Sequence, residues 1–140
     1  MKLPPDISAA EQELLTRAGQ LLAARHLAGR HEVAAALRTR AGAIHVGLHC
    51  DGSARRSGIC AEGMAIGAAA AAGDLDVETI VAVHYKPAET LRVISPCGVC
   101  RELLADYCPD ATVLVYADDT GAVERATVRG LLPAKTIRRW

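Results

Sequence analysis

Residues 95–107 read "SPCGVCRELLADY", the start of a helix in which two cysteines stand three residues apart. Ser95 is predicted as the N-cap and Pro96 as the first helical residue, where a missing N–H costs nothing. Cys97 and Cys100 then lie on one face of the helix, so both sulfurs can reach one ion. The positive end of the helix dipole favours thiolates there. By itself the pattern also fits half of a structural zinc site or a thioredoxin-type redox pair.

A second predicted helix begins at another cysteine. It runs from Cys60 to Ala72 and ends before Gly73, a residue suited to the left-handed conformation that follows many helices. After Glu62 this helix carries little polar surface. We therefore expect it to be buried nearly all round, in part against another subunit.

Three thiols can meet if both helices enter from the same edge of a sheet. Cys60 and the two cysteines of the other helix would then point at one ion. A structural zinc takes four protein ligands, whereas a catalytic zinc takes three and keeps one position open for water. His49 or Cys50 could fill the fourth position. Glu62 supplies what an open site needs, a carboxylate that takes a proton from the water and passes it on.

Hydrophobic periodicity and turn residues predict the remaining elements. Ser8 and Glu11 form a capping box at the start of a helix that ends near His26. The other predicted segments are a hairpin over 31–49, strands over 78–85, 111–117 and 122–128, and a connection over 86–94. This order predicts one α/β domain, residues 1–140, in which helices cover a sheet.

Composition and charge narrow the classes of function. The 140 residues are 51% hydrophobic and 23% charged, as in a globular domain, and the formal net charge is zero. A neutral chain has no electrostatic basis for binding a nucleic acid polymer or an anionic membrane. No apolar run reaches the ~20 residues that span a bilayer, and "MKLPPDIS" lacks the apolar core of a signal peptide. We expect a cytoplasmic protein whose clustered cysteines are metal ligands or redox residues.

Two short motifs carry a family resemblance. The chain has "CAE" at 60–62 and "PCGVC" at 96–100, with 36 residues between Cys60 and Cys97, and this resembles the zinc signature of the cytidine deaminase family. "RTRAGAIHVGLHC" is similar to the family's hairpin, "PCGVCRELLADYCP" to its second zinc helix and "TVRGLLP" to its C-terminal stretch. Roughly residues 10–134 are covered. The run "GAAAAAGDLDVETIVAV" is closer to the blasticidin S deaminase branch.

The resemblance implies a fold, a reaction and roles for individual residues. The family fold is a three-layer α/β/α arrangement around a mixed five-stranded sheet, assembled as a homotetramer or homodimer with sites at subunit boundaries. Zn²⁺ on the three cysteines would activate water, and Glu62 would carry a proton to the ring nitrogen and the departing ammonia. The backbone around Ala61 and the carbonyl of Ser95 would hold the edge of the base.

The sequence departs from the family where a sugar would bind. The family commonly has Asn-x-Glu there, whose side chains hold the ribose 3′-hydroxyl, whereas this chain has His49 and Asp51. His31 stands where the family has a Phe. A bulkier ring and a shorter carboxylate alter sugar recognition. His31, His49 and Asp51 are therefore predicted contacts for a substrate other than plain cytidine.

A second departure concerns charge. Three thiolates leave a net negative charge on a Zn²⁺ site. Members of the family offset it with an arginine directly after "CAE" or inside the two-cysteine motif, positions that are Gly63 and Val99 here. Arg55, Arg56 and Arg101 are the candidate replacements, together with the two helix dipoles.

We therefore predict a zinc-dependent deaminase that converts a cytosine-type nucleoside to its uracil form and ammonia. Cytidine, deoxycytidine and modified analogues are the candidate substrates, with an antibiotic nucleoside such as blasticidin S as the alternative. A binding domain whose zinc is purely structural is the alternative of another class. Neutral charge and few aromatic residues argue against editing of a polynucleotide. Trp140 is expected either to cover a neighbouring active site or to fray.

Overall fold

The computed structural model describes residues 1–54, 56–85, 91–117 and 120–139. Arg55, a candidate for balancing the thiolate charge, and Trp140, expected to cover a neighbouring active site or to fray, lie outside the described residues. In chain order the elements are α1 (Ala9–Arg25), β1 (Val33–Thr39), β2 (Ile44–Leu48), α2 (Ala61–Ala71), β3 (Val77–His84), β4 (Arg92–Ile94), α3 (Gly98–Tyr107), β5 (Thr112–Tyr116), β6 (Val123–Thr127) and α4 (Val128–Leu131).

The predicted first helix is confirmed, including its cap. The hydroxyl of Ser8 accepts a hydrogen bond from the Glu11 N–H, and the Glu11 carboxylate accepts one from the Ser8 N–H. The helix ends at His26, its C-cap. Arg125 on β6 also donates to the Glu11 carboxylate, and these hydrogen bonds lower the pKa of Glu11 to about 2. The cap therefore ties α1 to the far edge of the sheet.

The strands form one mixed sheet in the order β2-β1-β3-β5-β6. Only β3 and β5 are parallel; the other neighbours are antiparallel. The prediction of five strands is wrong by one, because Arg92–Ile94, predicted as part of a connection, is a strand. This short strand pairs with residues 82–84 of β3, while β5 pairs with residues 79–81. Since β1 occupies the other edge of β3, β4 and β5 follow one another along the same edge.

Helices cover both faces of the sheet, so the predicted three-layer α/β/α arrangement is confirmed. On one face α1 packs through Leu14, Ala18 and Leu22 against alternate residues of β1 and β3. On the other face α2 and α3 pack against the intervening residues of the same strands. Strand β1 is consequently buried on both sides, and small alanines at positions 34, 35 and 36 let helices approach it from each face.

The structure corrects how α3 begins and adds a helix at the end of the chain. The N-cap of α3 is Cys97 rather than the predicted Ser95. The Ser95 hydroxyl instead donates to the Tyr116 carbonyl and accepts from the Tyr116 N–H, which joins β4 to the end of β5.

Residues 128–131, for which no helix was predicted, form a single turn capped by Thr127. So short a turn carries no periodicity that a sequence could reveal.

Helix α2 lies unusually close to strand β2. A Cβ added at Gly47 would overlap the Ala61 carbonyl oxygen and the Ala65 nitrogen, and it would lie 2.9 Å from the Met64 carbonyl carbon.

At the other end of α2, Gly73 has the predicted left-handed conformation, with φ of 68°. Within a single chain α2 is buried on one side only, because Met64, Gly67, Ala68 and Ala71 are exposed, and its burial against another subunit stays a prediction.

Among the described residues, no helix has both the length and the apolar character needed to cross a membrane.

The contact at Gly47 gives a test of the packing. We expect Gly47→Ala to destabilise the protein by about 3 kcal/mol or more, because the added methyl forces α2 away from the sheet. The melting temperature should fall by roughly 10 °C. Gly67→Ala is the control, since a Cβ there has nothing within 4 Å and alanine favours a helix. Equal melting temperatures for the two variants would contradict the close contact.

Candidate metal centre and active site

The N-termini of α2 and α3 lie together at one end of the sheet. Cys60 is the N-cap of α2 and Cys97 the N-cap of α3, both with extended backbone angles and neither with a side-chain capping bond. The loop before α2 is closed by two backbone hydrogen bonds between Cys50 and Ile59, of 3.1 and 2.9 Å. This bridge fixes the residue that directly precedes Cys60.

Three sulfurs converge between these helix ends. The Sγ atoms of Cys60, Cys97 and Cys100 all lie within 4.8 Å of one another, and those of Cys60 and Cys97 are 3.4 Å apart. Tetrahedral zinc with Zn–S bonds of about 2.3 Å requires sulfurs roughly 3.8 Å apart. The donor set therefore fits Zn²⁺ in both chemistry and spacing.

In the described part of the chain, no fourth His, Cys, Asp or Glu joins this cluster. Cys50, considered from the sequence as a fourth ligand, directs its Sγ to the Leu48 carbonyl at 3.6 Å. His49 is likewise outside the cluster. Three donors without a fourth are typical of a catalytic rather than a structural zinc site.

The three thiols differ in their electrostatic environment. Burial raises the pKa of Cys60, and burial together with the nearby Glu62 charge raises that of Cys100, which is fully buried. Burial also acts to raise the pKa of Cys97, but hydrogen bonds from the Cys100 N–H and from Cys60 outweigh it and lower the value. Cys97 is the exposed member of the three. It is thus the thiol best prepared to ionise first and meet an incoming cation.

Glu62 lies on the first turn of α2, beside the cysteines. Only 5% of it is exposed, and burial raises the pKa of its carboxyl. Its own backbone N–H, the Cys100 thiol and the nearby His49 ring oppose that rise. Apolar residues of β3 and β5 and Pro96 line a cavity of about 10 Å³ next to Glu62, enough for at most one water. A buried carboxyl whose pKa is raised is suited to accept a proton and to return it.

His31 and His49 form a connected pair at the same end of the sheet. His31 Nδ1 is 2.8 Å from the His49 carbonyl, so Nδ1 donates this bond. The His49 N–H donates to the Val33 carbonyl at 2.9 Å, which continues the β1–β2 pairing. His49 Nδ1 is buried and has no hydrogen-bond partner within the described structure. A buried polar atom of this kind costs free energy unless a ligand or water satisfies it.

The remaining predicted substrate residues have different surroundings. Asp51 is exposed, and its carboxylate accepts from the N–H of the next residue in the loop, Gly52, at 2.9 Å. Ala61, the first residue of α2, is fully buried. The Ser95 hydroxyl is hydrogen-bonded to the backbone of Tyr116, so only the backbone of Ser95 remains for contact with a ligand.

Two features of the site were not predicted from the sequence. One is the close approach at Gly47 that sets the position of α2, and a glycine inside a strand is the signal that could have revealed it. The other is the side chain of Arg101, considered only for its charge. Arg101 donates to the carbonyls of Pro96 and Leu131 at 2.8 and 3.2 Å. No sequence pattern links residues 96 and 131.

Comparison with known proteins identifies relatives over most of the chain. A family model described as the cytidine and deoxycytidylate deaminase zinc-binding region matches residues 9–116. Blasticidin-S deaminase of Bacillus cereus is 37% identical over 137 residues, covering 95% of this chain and 96% of that enzyme. Cytidine deaminase of Halalkalibacterium halodurans is 34% identical over 104 residues, covering 74% of this chain and 76% of that enzyme.

Solved structures agree on the fold. The crystal structure of cytidine deaminase from Burkholderia pseudomallei superimposes with a TM-score of 0.75 at 25% identity, covering 93% of this chain and 100% of that one. Cytidine deaminase from Bacillus anthracis gives a TM-score of 0.76 at 24% identity, covering 89% of this chain and 87% of that one.

The sulfur cluster predicts how zinc content responds to substitution. Wild-type protein should contain about one zinc per chain, and Cys97→Ala should retain less than about a fifth of that, because two thiolates hold zinc poorly. Cys108→Ala is the control, since Cys108 is buried at the end of α3 but lies outside the cluster. Elemental analysis of the purified proteins measures the content. Full zinc occupancy in Cys97→Ala would rule out this ligand set.

Proposed function

The chain belongs to the cytidine and deoxycytidylate deaminase family, and from that premise we propose which of its residues carry the reaction. It is a zinc-dependent deaminase of cytosine-type nucleosides. In our proposal Cys60, Cys97 and Cys100 hold the zinc and Glu62 moves the protons. This assignment of roles rests on one observation: the three sulfurs lie within 4.8 Å of one another, and the Glu62 carboxyl beside them is only 5% exposed.

The proposed chemistry is hydrolysis of the exocyclic C–N bond of the base. Zinc held by the three cysteines would supply Lewis-acid activation of water. Glu62 would take a proton from the attacking water, whose oxygen bonds to the ring carbon that carries the amine, and deliver that proton to the ring nitrogen. Transfer of the second proton to the amine would then break the C–N bond and release ammonia. The raised pKa of Glu62 suits proton transfer to and from the carboxyl, because the same group must accept a proton and then give it up.

The base would be held by backbone rather than by side chains. We assign its edge to the backbone around Ala61 and to the Ser95 carbonyl, at the start of α2 and just before α3. Both segments are rigid for identifiable reasons: Ala61 packs in the core, and the Ser95 side chain is bonded to β5. Rigid backbone groups keep a small substrate in one orientation relative to Glu62.

His49, together with His31 and Asp51, is proposed to determine which nucleoside the site accepts. The unpartnered Nδ1 of His49 is available to a polar group on the sugar or on a larger substituent. His31 fixes the backbone of His49 through the bond to its carbonyl. A nucleoside with a modified sugar is therefore favoured over plain cytidine. An antibiotic nucleoside is the second candidate, favoured by the likeness to the Bacillus cereus enzyme, whose name specifies blasticidin S.

A cytoplasmic location and a single domain are part of the same proposal. Three close cysteines stay reduced, and so free for zinc, in a reducing compartment. Helices on both faces of one continuous sheet support the single-domain assignment. The zero net charge argues against a nucleic acid polymer as partner.

An ammonia-release screen tests the function. The purified protein would be offered cytidine, deoxycytidine, analogues with altered sugars, and blasticidin S. We expect Glu62→Gln to lower kcat by about 10²–10⁴-fold with zinc content unchanged, because the amide cannot carry the proton. Glu124→Gln, an exposed change on β6, is the control. A zinc-loaded wild type that is inactive on every nucleoside would favour the binding-domain alternative.

Replacement of His49 tests its proposed role in determining which nucleoside the site accepts. We expect His49→Asn to raise kcat/KM for cytidine about tenfold relative to that for the preferred substrate, because the family side chain is restored. His45→Asn is the matched control, because His45 lies on β2, the strand directly before His49, and its ring contacts Asp74 at 3.2 Å. If cytidine is already the best substrate of the wild type, the role given to His49 is wrong.

We also propose assembly as a homotetramer, or a homodimer, through the outer faces of α2 and α3. Ile59, Met64, Val99 and Tyr107 expose large apolar side chains around the two helices, and the rest of the outer face of α2 is alanine and glycine. Met64→Glu should lower the mass measured by light scattering, because it buries a charge in the interface. Ala24→Glu, on the exposed face of α1, should not. A monomeric wild type would contradict the assembly.

A further inference from the structure

Arg101 holds both peptide groups that flank Cys97. Its backbone N–H donates to the Cys97 carbonyl at 2.9 Å, the first turn of α3. Its side-chain Nε donates to the Pro96 carbonyl at 2.8 Å. One residue therefore restrains the backbone on each side of the exposed cysteine. The side-chain bond is not part of the regular helix, so a helix alone would not impose it.

The other end of the same guanidinium is anchored to α4. Arg101 Nη1 donates to the Leu131 carbonyl, the last of that helix, at 3.2 Å. Helix α4 is itself fixed, because Val128 is 1% exposed in the core and the Thr127 hydroxyl accepts from the Gly130 N–H at 3.0 Å. Arg101 thus links the turn that carries Cys97 to a segment with its own attachment to the core.

The charge of Arg101 remains uncompensated by the groups it contacts. Both of its side-chain acceptors are neutral carbonyls, and among the described residues no carboxylate forms an ion pair with it. Nearby Lys135 differs, since its ammonium binds both Glu102 and Asp106 on α3. A full positive charge one residue after Cys100 would attract the net negative charge of three thiolates on Zn²⁺.

We propose that Arg101 is a positioning residue for the metal site, which fixes the Cys97 turn through the Pro96 carbonyl and balances the charge of the thiolates. The inference rests on the proposed zinc site and adds a residue to it. This chain has Gly63 and Val99 at the two positions where members of the family have an arginine. Arg56 is exposed, so solvent screens its charge more strongly.

Zinc release from the holoenzyme tests this role. Zinc-loaded wild type, Arg101→Gln and Arg101→Lys would be mixed with excess chelator, and the rate of zinc transfer followed by absorbance. We expect Arg101→Gln to release zinc 10–100-fold faster, in the range typical of residues that support metal ligands. Arg101→Lys should recover part of the loss, because it keeps the charge and can reach one carbonyl. In Arg101→Gln, kcat should fall while KM stays within about twofold, since the proposal gives Arg101 a contact with the Cys97 turn and none with the substrate.

Lys135→Gln is the matched control. It removes a cation that contacts α3 but leaves the Pro96 carbonyl untouched, so its zinc release should stay within about twofold of wild type. Release from Arg101→Gln at the rate of Lys135→Gln would overturn the inference. If Arg101→Gln does not fold, Arg101→Lys decides: release at the wild-type rate together with unchanged kcat refutes the bridging role. A wild type that binds no zinc would instead refute the proposed zinc site.

Discussion

The close packing of α2 on the β1–β2 hairpin is the constraint on which the site depends. Gly47 has no side chain, so the backbone of α2 at Ala61 and Ala65 comes to rest directly on the strand. Because Cys60 caps this helix and Glu62 lies in its first turn, the contact sets the position of both. Small residues on the buried face of α2 serve the same purpose, since larger ones would lift the helix and carry the site with it.

Two helix N-termini meeting at one point have electrostatic consequences as well. Each brings a partial positive charge and unpaired N–H groups to a place where three sulfurs and a carboxyl converge. Burial works in the opposite direction and disfavours the ionised forms of Cys60, Cys100 and Glu62. A cation bound by the three sulfurs would favour the thiolate forms that burial disfavours.

The proposed substrate contacts lie on different elements from the residues of the proposed metal site. The cysteines and Glu62 belong to helix ends that pack into the core, whereas His31, His49 and Asp51 belong to a strand end and its loops. The backbone of His49 is fixed by hydrogen bonds at its N–H and its carbonyl, whereas its ring Nδ1 lacks a partner within the described structure. Loops at the edge of a rigid scaffold can change without disturbing the fold. Specificity can therefore diverge while the metal chemistry stays the same.

Much of this protein could be predicted from its sequence because the signals are local. The capping box of α1, the hairpin, the stop at Gly73 and the two cysteine motifs each depend on a few adjacent residues. What required tertiary structure was any property set by residues distant in the chain. Strand β4 exists only because β3 has a free edge beyond the end of β5, and Ser95 is not a cap because Tyr116 occupies its hydroxyl. Likewise Arg101 reaches Leu131 only in the folded chain, since packing rather than sequence spacing brings α4 against α3.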